Sequence, residues 1–147
     1  MQRILRPRQR ARGFTLIEVL VALLVLSIGL LGIAGLQLKS LRDSQDAYLR
    51  SQASILAADI IARMRANRQE ARSGNYDIGL NDTPAAGSSR SARDLTEWRN
   101  RISDTLPGGT GAVQTSAERV VVTIQWQTRR SEDADDSKDS FTYETRL

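Results

Sequence analysis

Between Phe14 and Leu36 the chain reads FTLIEVLVALLVLSIGLLGIAGL, with a single formal charge at Glu18. At ~1.5 Å per residue, a helix of this length crosses the ~30 Å hydrocarbon core of a bilayer. Five arginines, Arg3, Arg6, Arg8, Arg10 and Arg12, precede the run with no acid among them. Basic flanks stay on the cytoplasmic side. The pattern therefore predicts a single-pass inner-membrane chain with a cytoplasmic amino terminus and a periplasmic carboxyl-terminal part.

Two ordinary explanations fit less well. A secretory signal would close the run with an Ala-x-Ala cleavage site, whereas residues 37–50 read as charge-bearing helix. A plain membrane anchor accounts for the arginines but not for Glu18. An ionised carboxylate costs roughly 2–3 kcal/mol at mid-bilayer and less near an end, so an acid there points to function.

The junction Gly13-Phe14-Thr15-Leu16-Ile17-Glu18-Val19 resembles the processing site of type IV prepilins and type II secretion pseudopilins. The resemblance implies a leader at residues 1–13, cleavage between Gly13 and Phe14 by prepilin peptidase, and methylation of the new Phe14 amine. It also gives Glu18 a partner, the Phe14 ammonium of a neighbouring subunit, which would make the acid a register device for assembly. A charge pair in an apolar medium is favourable over either charge alone. Gly13 has no Cβ and allows close approach by a protease. Ser27, Gly29, Gly32 and Gly35 lie in the transmembrane and assembly helix, residues 14–36. The glycines, three apart, fall near one face where helices can pack closely. Gly35 stands in the region where many major pilins carry a kinking proline.

No proline occurs from residue 8 to residue 83. Strong helix formers predict one helix from about 14 to 68, ~80 Å long. Its second part, residues 37–68, is amphipathic: Leu38, Leu41, Tyr48, Leu49, Ala53, Leu56, Ile60 and Met64 share one face. Asp59 and Arg63 form an i, i+4 pair. The stretch 57–68 is similar to the helix end of the minor pilins called PilV, the pilus modification proteins.

Residues 69–147 should then hold a loop, a short helix and an antiparallel sheet. Residues 69–92 are rich in Gly, Ser, Asn and Asp and read as loop. Asp94 is a candidate cap for a helix bearing Leu95, Trp98 and Ile102, with Trp98 in the core. Leu106-Pro107-Gly108-Gly109 ends it; the order Asp94, Trp98, then Leu-Pro-Gly-Gly also resembles PilV proteins. Residues 119–128 and 140–146 alternate as strands of a hairpin, and a further strand is expected near 111–116. The polar turn between them places Asp133, Asp135, Ser137, Asp139 and Glu144 at calcium-loop offsets. However, Lys138 replaces the required Gly and a strand follows where a helix should, so a solvated hairpin tip is the better reading.

Composition excludes much else. The 147 residues include no Cys and no His. No disulfide, Ser-His-Asp triad or Cys/His zinc site is available. No cofactor is expected, and no enzyme. The net charge of +4 belongs to the leader: without residues 1–13, 16 basic residues face 17 acids, a net of −1. No nucleic-acid partner is expected on that balance.

The fold expected is α+β, a long amino-terminal helix packed on a small antiparallel sheet. The resemblance implies a minor pilin that primes assembly at or near the tip of a pilus serving adhesion and twitching motility. Its partners would be other minor and major pilins, prepilin peptidase, the inner-membrane assembly platform and membrane lipid. A minor pseudopilin of type II secretion, or a tip-borne adhesion or DNA-uptake module using residues 69–92, are the alternatives. Tyr76 and Arg72 alone make a thin nucleic-acid surface.

Overall fold

A computed structural model describes residues 13–116, 119–128 and 138–147. The elements run α1 (Leu16–Ala66), α2 (Arg68–Arg72), α3 (Arg90–Thr105), β1 (Thr110–Ser116), β2 (Arg119–Gln127) and β3 (Lys138–Arg146). The chain divides into two compact units, Met1–Arg42 and Asp43–Leu147, and α1 contributes to both. The class is α+β, with the long helix packed on a three-stranded antiparallel meander ordered β1-β2-β3.

In the second unit α1 buries Ala53, Leu56, Ala57, Ile60, Ile61 and Met64, a face at mixed three- and four-residue spacing. Leu38, Leu41 and Tyr48, expected on the same buried face, stay 59–65% exposed. Among its apolar residues, covering of the helix begins at Leu49, which packs against the core.

β2 carries the sheet's side of the core. Val120, Val122, Ile124 and Trp126 point inward and are fully or almost fully buried, as the period of two requires. Val122 is opposed by Val113 of β1 and Tyr143 of β3. β3 starts two residues earlier than its alternation indicated, because Asp139 and Lys138 continue the ladder opposite Trp126 and Gln127. It has no fully buried residue.

α3 fills the space against β1. Trp98 is fully buried, and its indole N–H donates to the Leu56 carbonyl of α1 at 2.9 Å. A Cβ on Gly111 would lie 2.5 Å from Trp98 Cη2, so only glycine lets β1 approach this closely. Gly108, at φ +56°, makes the turn from α3 into β1.

Two expectations need correcting. Residues 69–92 are not all loop, because α2 continues to Arg72 and buries Ala71 completely. Asp94 does not cap α3. Ser89 does: its hydroxyl accepts from the Ala92 N–H at 3.2 Å, and the helix starts a full turn earlier. Serine is as good a cap as aspartate, and the earlier start buries Ser91 and Ala92 beside Leu95.

Candidate assembly sites

The first site is built on the opening turn of α1. Thr15 precedes the helix and accepts from the Glu18 N–H through its carbonyl at 3.1 Å and its hydroxyl at 3.4 Å. Thr15-Leu16-Ile17-Glu18 has the spacing of a capping box, whose second half would be a bond from the Thr15 N–H to the Glu18 carboxylate. That bond is not made. Among the described residues the carboxylate has no partner. It sits in the first turn, where the positive end of the helix dipole favours an anion. Phe14 is 84% exposed.

Every described residue from Gly13 to Gln45 is exposed. Within the described residues α1 is the one helix long and apolar enough to cross a membrane, and none of its most apolar window is buried inside the chain. Burial stabilises by ~25 cal/mol per Å² of apolar surface, so a run this large is stable only in lipid or against other helices. A Cβ at Gly13, Gly29, Gly32 or Gly35 would meet nothing within 4 Å. No contact among the described residues requires glycine at these positions.

The second site is a polar hub between α1 and α3. Arg63 Nη1 donates to Glu97 at 2.8 Å and to Asp94 at 3.1 Å, while its Nε lies 3.2 Å from Asp59. Asp59 also meets Arg101 at 3.0 Å. Tyr76, fully buried, donates its hydroxyl to the other Asp94 oxygen at 2.6 Å and accepts from Asn67 Nδ2 at 3.3 Å. Burial first, and then the bond to Asp94, pushes the Tyr76 phenol up to about 12. Glu70 is shifted the other way, its carboxyl lowered chiefly by hydrogen bonding to Ser91. Tyr76 is thus part of the core and presents no face on which a base could stack.

Two arginines of α1 hold β3. Arg50 makes a forked contact with the Asp139 carboxylate, at 3.0–3.2 Å. Arg65 donates to Thr145 Oγ1 and to the Arg146 carbonyl, both at 3.2 Å. Of the calcium-loop positions, Asp133, Asp135 and Ser137 lie outside the described residues. Asp139 is engaged by Arg50, and Glu144 pairs with Arg119 at 2.9 Å.

Of the residues singled out in the sequence, Gly13, Phe14 and Glu18 lie together at the start of α1, and Asp59 and Arg63 pair. The parts of Arg50, Arg65 and Tyr76 carried no sequence signal, since each resembles an ordinary surface charge or loop aromatic until its distant partners are known. Among the described residues these groups build an uncovered apolar helix with an unpaired acid near its start, and a carboxyl-terminal unit with its own core.

Residues 8–34 match the family model of the prokaryotic N-terminal methylation motif, and residues 35–97 match the one described as type IV pilin Tt1218. No curated protein and no solved structure matches the chain.

Proposed function

Because the chain belongs to the type IV pilin-like family, we propose that it is a minor pilin, cleaved after Gly13, methylated on Phe14 and built into a pilus at or near its tip. The family is structural and not enzymatic. The observation that carries the reading is the opening of α1: a long apolar helix that the described residues leave uncovered, with Glu18 unpartnered among them, one turn from the future amino terminus.

That geometry supports the following sequence of steps. The arginine-rich leader holds the amino terminus in the cytoplasm, and residues 14–36 hold the subunit in the inner membrane, with the domain on the periplasmic side. Cleavage after Gly13 frees the Phe14 amine. On entry into the filament the apolar helix exchanges lipid for the helices of other pilins. Glu18 then neutralises a neighbour's Phe14 ammonium, and an unmatched register leaves a charge unpaired in an apolar medium. The order Asp94, Trp98 and Leu106-Pro107-Gly108-Gly109 supports a PilV-type subunit over other pilins and over a type II pseudopilin.

Mass spectrometry of the protein from its native membrane tests this. The expected chain begins at Phe14 and carries one extra methyl group. A chain that retains residues 1–13, or an unmodified Phe14 amine in sheared filaments, would overturn the processing scheme.

A further inference from the structure

Among the described residues, every buried side chain of the core lies between Ala53 and Trp126. From β3 and the residue after it, Phe141 and Leu147 lie against that core only partly buried. Tyr143, opposite Val122 and so on the same face of the sheet, is 45% exposed. The two edges of the sheet differ in this respect. β1 packs beneath α3, buries Gly111, Ala112 and Val113, and is met on its outer side by Ile78, which bridges to Val113. β3 is the other edge, and no described segment pairs with its outer side.

Beyond its ladder to β2, what fastens β3 is polar and near the surface. At its start Asp139 takes the Arg50 fork, with the two side chains 23% and 57% exposed. At its end Arg65 donates to Thr145 Oγ1 and to the Arg146 carbonyl. Arg119 of β2 meets Glu144 in the open. Ladder bonds replace bonds to water and give a modest net gain each, and exposed ion pairs add little. A segment opens only with its whole domain when it carries buried apolar contacts, and β3 carries few. Arg50 also follows Leu49, the first apolar residue of α1 to be covered. Asp139 is thus clipped where α1 leaves the core.

We propose that β3 is a releasable strap: it parts from β2 as one unit while α1, α3, β1 and β2 stay packed, and the Arg50–Asp139 clip sets how often it does so. The clip ties the edge of the sheet to the exit of α1 from the core. Fraying or bending of α1 at Arg50 therefore frees β3 and bares the ladder edge of β2. The strap works in the single chain, whether or not that chain enters a filament.

Hydrogen exchange of the full-length protein in detergent tests this. The β3 amides bonded to β2 should exchange at least about tenfold faster than the β1 amides bonded to β2. Arg50→Gln should speed the β3 amides a further two- to fivefold or so, the worth of an exposed ion pair, and leave β1 and α3 unchanged. Arg101→Gln, which removes a comparably exposed pair with Asp59 on the α3 side, should leave β3 unchanged. The chain has no cysteine, so Thr123→Cys with Thr142→Cys, opposite each other on β2 and β3, provides a staple that a reductant opens. Oxidised, it should slow β3 exchange to that of β1; reduced, it should not. Equal protection of β3 and β1 in the wild type overturns the strap, and so does β3 exchange that the closed staple leaves unchanged. A uniform rise across all elements with Arg50→Gln overturns the role of the clip. If that variant fails to accumulate, raising salt from about 50 to about 500 mM decides the role. Wild-type β3 should then speed up relative to β1, and an unchanged ratio overturns it.

Discussion

At the scale of single residues, Glu18 and Tyr76 show two uses of a titratable group in apolar surroundings. Among the described residues Glu18 has no side-chain partner. Removing its charge should ease insertion slightly and leave the carboxyl-terminal domain intact. It should strand a neighbour's Phe14 ammonium at a cost of several kcal/mol. Glu18→Ala is expected at normal membrane level, with normal leader cleavage, yet scarce in sheared pili; Glu18→Asp should be intermediate. Recovery of the alanine variant in filaments at the wild-type ratio would show that the pairing role is wrong. Tyr76 is the contrasting case, its phenol fully committed inside the fold. Its pKa rises from ~10 in the unfolded chain to about 12 in the folded one. Folding thus favours the protonated phenol. Its contribution is fully present below pH ~10 and is lost as pH climbs towards about 12. Unfolding of the solubilised protein, followed by tryptophan fluorescence, should show stability falling across that window. Tyr76→Phe should reduce the slope and cost about 1–2 kcal/mol at neutral pH, since Asp94 and Asn67 each lose a partner.

At the scale of elements, the charges beside the apolar stripe add register to the packing of α1 against α3. Apolar faces tolerate sliding by a turn, whereas Arg63 meets Asp59, Asp94 and Glu97 together in one register. Arg63→Met should cost roughly 1–3 kcal/mol, because it leaves three carboxylates clustered. Ser89→Ala should cost about 1 kcal/mol, the usual worth of a cap. Thermal unfolding of the two variants tests the ordering. A larger loss from Ser89→Ala would mean that the hub is a dispensable surface network. The cap also shows where local reading stops. Both Ser89 and Asp94 are good capping residues ahead of apolar periodicity. Ser89 takes the role because Asp94 is held between Tyr76 and Arg63, contacts 18 and 31 residues away in sequence.

At the scale of the whole molecule, the chain splits into two compact units, and among the described residues only the second has a core. The described part of Met1–Arg42 buries nothing, whereas Asp43–Leu147 contains the core built on Trp98, Trp126 and Tyr76. A chain beginning near Leu38 should therefore be a soluble monomer with mixed helix and strand signals in circular dichroism. Aggregation in light scattering, or a disordered spectrum, would show that residues 14–37 are needed for the domain to fold.

The apolar run, the methylation motif around Phe14 and the alternation of β2 are legible in the sequence, because each is a local chemical pattern whose meaning depends on near neighbours. The family and the α+β class follow from them. Pairings across the chain are another matter. Arg50 finds Asp139 across 89 residues, and Arg65 finds Arg146 across 81. Arg99 finds carbonyls 17 to 20 residues before it. The sequence offers 21 basic residues and 17 acids with nothing to match them. Only packing brings particular ones together, and only packing stops the covering of α1 at Leu49, since an apolar stripe is the same whether a sheet, a lipid or another subunit lies against it.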